Sequence, residues 1–239
     1  MAINSTLLRR PAERGFFLAA AVCFPLMVLA GYFKSYYFSS FFDVPPLANR
    51  LVHLHALVMT AWVIYFTAQI ALVRAQNIRL HRTLGKAGAF LAAAVVAVGL
   101  LTAYDSHLVR RTAPPGINPF GIALVAVFDM ALFALFFGAA ILYRKRPAEH
   151  KALMLLTAIN FLPAVFFRLS PVPEKWTILW AYGAPDLIAL GSLVWLSVKQ
   201  RKLNAVFAAA VLLLIASQPL RIVLAGTQAW LRFAAWLAG

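Results

Sequence analysis

The chain has 239 residues, of which 63% are hydrophobic and 12% are charged. Soluble domains are typically about 45–50% apolar and about 25% charged, so this composition, with a mean hydropathy of +0.83, excludes a water-soluble globular protein. The net charge of +15 would indicate nucleic acid binding in a soluble protein, but these basic residues lie mostly between apolar segments, and we expect no nucleic-acid partner.

Long apolar segments predict an all-α polytopic membrane protein with a single domain over residues 1–239. A helix that crosses the bilayer needs about 20 residues, and in lipid a helix satisfies its own backbone hydrogen bonds. Seven segments have this character: 16–33, 51–73, 85–104, 120–143, 152–168, 176–198 and 203–225. The single cysteine, Cys23, lies in the first segment and excludes an intramolecular disulfide and a multi-cysteine metal site.

The first segment follows Arg9, Arg10 and Arg14, and therefore also resembles a secretory signal peptide with a weak cleavage site at 28–30. Its length favours an uncleaved membrane span. The linker 34–50 that follows is rich in tyrosine and phenylalanine, which predicts an aromatic belt at the membrane interface.

The basic residues also predict an orientation. When the 22 Lys and Arg residues are sorted by membrane side, 14 fall on one side and 8 on the other. The positive-inside rule then places the N-terminus in the cytoplasm and, with seven spans, the C-terminus outside. We expect a multi-pass protein of the cell (inner) membrane, with the lipid bilayer as its first partner.

Two helical hairpins share one pattern. The second segment ends at Leu72-Val73-Arg74 with His81 seven residues later, and the fourth ends at Leu142-Tyr143-Arg144 with His150 six residues later. Two hairpins that run in the same direction predict a pseudo-symmetric four-helix core. Chance similarity between apolar segments is the alternative explanation.

His81 and His150 occupy matching positions at the starts of their helices on the cytoplasmic side. Pro147 is tolerated in the first turn of a helix, so His150 is expected in that turn. If the hairpins pack as a repeat, the two neutral imidazoles can face each other and bind a haem iron or another metal. Alternatively, both histidines lie among lipid headgroups beside Arg82 and Lys151.

Three further histidines lie toward the outer side. His53 and His55 are about 200° apart on a helix, so one metal cannot easily take both. Spacings of seven continue these two faces as His55, Trp62, Gln69 and as His53, Thr60, Thr67, and both polar stripes are expected to face protein. His107 is a possible partner of His55 in an outer haem or metal site. Hydrogen-bonded packing histidines are the alternative.

Asp129 and Asp186 are the most costly residues of the chain in lipid. Each lies about 13–15 Å from the outer end of its helix, near the centre of a hydrocarbon core about 30 Å thick. An ionised carboxylate at this depth needs a partner, a proton or water, and so indicates a polar cavity by default. The further candidates for this cavity are Asn160, Gln218 and Arg221, with Arg168 nearer the outer surface. A purely structural network is the alternative.

After Gly226, the residues Trp230, Phe233 and Trp236 recur at intervals of three, which predicts a short helix lying on the membrane surface. The sequence contains no phosphate loop, zinc-protease motif or nucleophile elbow. The seventh segment contains no lysine, which disfavours a retinal Schiff base.

Several motifs together resemble an uncharacterised family of bacterial multi-spanning membrane proteins over about residues 50–239. They are His53-Leu54-His55-Ala56, Trp62, Gln69, Leu72-Val73-Arg74, His81-Arg82-Thr83-Leu84-Gly85, His150-Lys151-Ala152-Leu153-Met154-Leu155-Leu156 and Ser217-Gln218-Pro219-Leu220-Arg221. The resemblance implies the multi-spanning architecture and no particular activity. A weaker similarity links the chain to di-haem membrane cytochromes of the b type, which carry histidine pairs on both sides of a four-helix core. Here only the inner pair, His81 and His150, is symmetric.

Four hypotheses follow. The first is membrane electron transfer by a haem b or metal held by His81 and His150, with a redox partner and with His55 and His107 as a poorer outer site. The second is binding or transport of a small lipophilic ligand at Asp129 and Asp186. The third is an enzyme that uses these carboxylates as acid and base. The fourth is an accessory subunit.

Overall fold

Seven helices are long and apolar enough to cross a membrane, which confirms the predicted all-α polytopic fold. The structure is a computed structural model that describes residues 11–44, 49–114 and 116–239. Arg9 and Arg10 lie outside these residues. The helices are α1 (Pro11–Tyr32), α2 (Arg50–Arg74), α3 (Ile78–Ala103), α4 (Pro119–Leu142), α5 (Pro147–Ile159), α6 (Leu162–Arg168), α7 (Glu174–Gln200), α8 (Ala205–Ala225) and α9 (Gln228–Ala238).

Five of these helices begin at a polar side chain that accepts a hydrogen bond from a backbone N–H of the first turn. Such caps satisfy N–H groups that have no partner inside the helix. They are Asn49, Asn77, Asn118, Asn204 and Thr227. The Asn77 cap places the start of α3 at Ile78, seven residues before the predicted start of the apolar segment, and so brings His81 into the first turn.

The fifth crossing differs from its prediction. Segment 152–168 was expected to be one helix, but the chain forms α5 and α6 with a break at Asn160 and Phe161. Pro163 has no N–H to donate to the carbonyl of Ile159 one turn earlier, and a proline inside a helix breaks or kinks it. The break leaves the Asn160 side chain free to bond with another helix.

The fifth crossing is also the most buried of the seven. In α5, Leu153, Leu156 and Ile159 are 2% exposed or less, and they belong to a core to which α1, α2, α4, α7 and α8 also contribute. A second apolar cluster around Trp62 and Phe133 joins α2, α3 and α4, with Met154 of α5 packed against it. The two predicted hairpins therefore pack together, with α5 at the centre of the bundle.

The connections at 75–77, 143–146 and 201–204 lie on one side of the bundle, here called the basic face; the other side is the opposite face. On the opposite face, α1 continues as a π-helical turn, Phe33–Tyr37, and a 3-10 turn, Ser39–Phe41, inside the predicted aromatic linker. The tail forms α9 as predicted, and Trp230 Nε1 donates to the Phe120 carbonyl at 2.7 Å.

Candidate functional site

The two inner histidines meet at the basic face. His81 lies in the first turn of α3 and His150 in the first turn of α5, and their ring centres are 6.4 Å apart with ring planes at 79°. The Nδ1 atom of His150 lies 2.8 Å from the carbonyl oxygen of Ala140 in α4. Because a carbonyl can only accept, Nδ1 carries a proton, and in the neutral imidazole the free lone pair is then on Nε2. This is the arrangement of most metal-ligating histidines.

The ring distance can be compared with the spacing of two imidazoles that share one metal ion. Metal–nitrogen bonds of about 2.0–2.1 Å and roughly 1.1 Å from nitrogen to ring centre allow ring centres at most about 6.3 Å apart. A tetrahedral angle at the metal would bring the centres to roughly 5 Å by the same bond lengths. The 6.4 Å between the ring centres of His81 and His150 is close to this upper limit, so the two rings would hold one ion between them only with a nitrogen of each ring directed at it.

Gln69 of α2 contacts this pair. Its residue is 7% exposed. Its backbone is a hydrogen-bond partner of the His81 ring, and its side chain is a hydrogen-bond partner of Tyr65. The Nδ1 atom of His81 is buried and has no partner among the described residues.

Two contacts fix the surroundings of this site. The Tyr65 hydroxyl donates to the Leu84 carbonyl at 3.2 Å and packs where a side chain on Gly88 would have to be. Next to His150, Lys151 pairs with Glu13 of α1, a residue that is only 6% exposed. These contacts connect α2 to α3 and α1 to α5 on either side of the two imidazoles.

The described contacts of the three outer histidines lead to different partners. His107 lies in a π-helical turn, Tyr104–Val109, and its Nδ1 is 2.7 Å from the Thr112 carbonyl. His53 is exposed with its ring 6.0 Å from that of Tyr36, whereas the Nδ1 of His55 is buried without a partner.

No hydrogen bond or ring contact between described residues joins His107 to His55, and Arg168 lies in electrostatic range of His55. Within the described ranges, no three His, Cys, Asp or Glu side chains gather as they would around a metal ion.

The predicted polar residues of the opposite half form a network between α4, α7 and α8. Arg221, 1% exposed, pairs with Asp129, and its Nη2 donates to the Ser217 hydroxyl at 2.9 Å. Asn160 Nδ2 donates to the Asp129 carbonyl at 2.9 Å, while the Asn160 side-chain oxygen is buried without a partner. The Tyr182 ring lies 5.8 Å from the Arg221 guanidinium carbon. Arg221 thus has acceptors on both sides, as a buried cation requires.

Asp186 stands at the edge of this network. Gln218 Nε2 donates to one of its carboxylate oxygens at 2.7 Å. Asp186 also lines a groove of about 600 Å³ on the outer surface of α7, together with Trp180 and Gly183. Asp186 is thus partly open to the surroundings of the bundle, in contrast to Arg221.

Some residues of these candidate sites could not be identified from the sequence. Tyr65, Tyr182 and Trp180 are single aromatic residues in apolar segments, and nothing in their spacing distinguishes them from packing residues. Ser217 lies four residues before Arg221, and this helical spacing could have identified it as a bonding partner.

Comparisons with models of known protein families, with curated proteins and with solved structures find no match to this chain.

Proposed function

We propose that His81 and His150 ligate one redox-active metal centre at the basic face, and that the protein serves electron transfer in the membrane. The observation that carries this proposal is the 6.4 Å separation of the two rings, with His150 oriented by the Ala140 carbonyl. Haem b is the cofactor class that fits best, because its iron takes four ligands from the macrocycle and would need only two imidazoles from the protein, which His81 and His150 would supply.

The donor set supports haem over a bare ion. Structural zinc sites use four protein ligands and catalytic zinc sites three, whereas the described residues offer two imidazoles and no gathered third His, Cys, Asp or Glu. Arg82 and Lys151 directly follow the two histidines. Lys151 is paired with Glu13, so the charge of Arg82 would suit a haem propionate, and the basic face suits a redox partner with an acidic surface.

The orientation of the site is part of the proposal. The connections of the basic face carry Arg144, Lys145, Arg146, Arg201 and Lys202. By the positive-inside rule this face, and with it the N-terminus, lies in the cytoplasm when the protein is inserted in the cell (inner) membrane. The proposed centre is then reduced or oxidised from the cytoplasmic side.

An absorption spectrum and metal analysis of the detergent-purified protein test the proposal. We expect a Soret band and about one iron per chain, both lost in His81→Gly and His150→Gly and kept in the control His53→Gly. Added imidazole should restore the band in the glycine variants, because it replaces the ligand without repairing any folding defect. A colourless protein that contains no transition metal would overturn the proposal, and copper or another metal in place of iron would overturn haem alone.

A second candidate function is transport or conversion of a small lipophilic molecule by Asp129 and Asp186. The observation that favours it is the position of Asp186 on a groove at the bundle surface. Uptake or turnover that stops in Asp186→Asn would support this function. Activity that is unchanged in both Asp186→Asn and Asp129→Asn would exclude it.

A further inference from the structure

We propose that a groove between α1 and α2 at the basic face binds a phospholipid with a net anionic head group. Arg74 holds the phosphate of this lipid, and one of its acyl chains lies in the groove. The proposal goes beyond electron transfer, and it depends neither on the histidine pair nor on the carboxylates of α4 and α7.

The groove, here called the α1–α2 groove, is a recess in the outer surface of the bundle with a volume of about 460 Å³. Three of its lining residues are alanines, whose small side chains leave room between the two helices. The Thr67 hydroxyl donates to the Ala21 carbonyl at 3.3 Å and joins the helices at the deep end. The full lining consists of Leu18, Ala21, Val22, Thr67, Ile70, Ala71, Arg74 and Ala75.

The end of α2 sets the depth of the groove in the membrane. Arg74 is the last residue of α2 and therefore lies at the level of the head groups. Thr67 lies seven residues earlier, which is about 10 Å deeper along the helix. Because the hydrocarbon core is about 30 Å thick, the groove stays within the leaflet on the basic face. This is the direction of a lipid in that leaflet, with its head at the surface and its chain pointing inward. A membrane-spanning partner helix would need a recess across both leaflets.

Arg74 places an uncompensated positive charge at the mouth of the groove. The residue is exposed, so its guanidinium is accessible from the membrane surface. The structure describes all seven Asp and Glu residues of the chain, and none of them pairs with Arg74. Glu13, the acidic residue of α1, pairs with Lys151 instead. The counter-charge of Arg74 therefore has to come from outside the chain.

These charges define the class of head group. A guanidinium binds phosphate through two parallel N–H bonds. Arg79, exposed in the first turn of α3, adds a second positive charge next to the connection that follows Arg74. The ammonium group of a zwitterionic lipid would be repelled by this surface, whereas phosphatidylglycerol brings only the negative charge of its phosphate. Basic pockets between transmembrane helices bind anionic head groups in the same way.

Photolabelling in phosphatidylcholine nanodiscs tests the site. The probes are phosphatidylglycerol and phosphatidylcholine, each with the same diazirine in one acyl chain. Ala71→Leu fills the groove, and Ala93→Leu, at an exposed position of α3, is its matched control. Arg74→Gln removes the charge at the mouth, and Arg144→Gln removes the same charge from another exposed position of the basic face. Since Arg74 and Ala71 are both exposed, the variants at these positions should fold.

We expect the phosphatidylglycerol probe to label residues 18–22 and 67–75 about fivefold more than the phosphatidylcholine probe, as one basic residue at an anionic head group predicts. This labelling should fall about fivefold in Arg74→Gln, by the same relation, and also be lost in Ala71→Leu. It should stay unchanged in both control variants.

Three results would overturn the proposal. Equal labelling by the two probes would mean that the groove contacts bulk lipid only. Labelling that persists in Arg74→Gln or in Ala71→Leu would mean that the charge or the groove is not the site. No labelling by either probe, in a protein that runs as a dimer, would mean that a second copy of the chain covers the groove.

Discussion

His81 and His150 begin different helices, yet each lies three residues after the start of its helix, and their rings approach to 6.4 Å between centres. Both helices pack on α4, and the Ala140 carbonyl near the end of α4 receives the His150 Nδ1–H. The shared register of two hairpins thus produces a pair of imidazoles at one face of the membrane. The pair of imidazoles therefore makes the basic face the strongest candidate for a functional site.

The amide of Gln69 allows the proposed site to be separated from ordinary packing. Gln69 is 7% exposed, and its side chain is a hydrogen-bond partner of Tyr65. We therefore expect Gln69→Leu to lower the free energy of unfolding by about 0.5–1.5 kcal/mol, the net contribution of one hydrogen bond. The same variant should bind less metal or haem, because the amide can no longer bond to the bound group or to its waters.

Denaturant unfolding of ligand-free protein and metal content per chain are the two measurements for Gln69→Leu. Thr83→Leu serves as the control, since Thr83 is exposed and bonds only to its own helix. A Gln69→Leu protein that binds as much metal as the parent would show that the amide serves packing alone.

Gly88 permits the close approach of α2 and α3 beside the histidines. A Cβ at this position would overlap the Tyr65 hydroxyl and ring. Overpacking of this kind typically costs about 1–3 kcal/mol, so Gly88→Ala should lower the free energy of unfolding and disturb the bond from Tyr65 to the Leu84 carbonyl. Gly85→Ala is the control, because its Cβ meets no atom within 4 Å and alanine favours a helix by about 0.5–1 kcal/mol over glycine.

Thermal unfolding of both variants in the same detergent gives the comparison. Melting temperatures that fall by the same amount in Gly88→Ala and Gly85→Ala would contradict the close packing between Tyr65 and Gly88.

The sequence patterns predicted those features that depend on composition and helix register. Apolar length gave the seven crossings, and the matching hairpins gave the positions of His81 and His150. The seven-residue spacing of Trp62 and Gln69 also predicted their common inward face, and both residues are buried. Such features follow from helix geometry alone, because every helix in lipid has the same rise and turn.

Features that depend on a local interruption of regular α-helix were not predicted. The π-helical turn Tyr104–Val109 directs His107 toward the Thr112 carbonyl, so the suggested pairing with His55 finds no support in the described contacts. The break at Asn160 was missed because a single proline in an apolar segment does not change its hydropathy. The groove at Asp186 depends on how α7 packs against its neighbours, and side-chain spacing along one helix contains no such information.

The ion pair between Asp129 and Arg221 should behave as a buried pair. Removal of one partner leaves an uncompensated charge, at a cost of about 3–5 kcal/mol. Asp129→Leu leaves the fully buried Arg221 without a partner, so we expect it to destabilise by this amount. Arg221→Met should cost less, because the Asp129 side chain is 23% exposed and a carboxyl can take up a proton. The double variant should be more stable than Asp129→Leu, because it buries no charge. The exposed Arg110, which pairs with Asp105, gives the control: Arg110→Gln should cost less than about 1 kcal/mol.

Unfolding in mixed micelles with increasing SDS measures all four variants. A double variant with the summed loss of both single variants would mean that Asp129 and Arg221 contribute independently, contrary to the contact between them.

The accessibility of introduced cysteines shows which face of the protein lies in the cytoplasm. The proposed cytoplasmic position of the histidine site depends on this orientation. Cys23 is the single cysteine, so Cys23→Ala provides a background for single-cysteine variants on the two faces. Lys145→Cys lies in the connection of the basic face and Glu174→Cys at the start of α7 on the opposite face, and both native residues are exposed. In intact spheroplasts a membrane-impermeant maleimide should label Glu174→Cys alone, and after permeabilisation it should label both. Labelling of Lys145→Cys alone in intact spheroplasts would place the basic face outside, against the positive-inside rule, and with it the proposed metal centre and its redox partner.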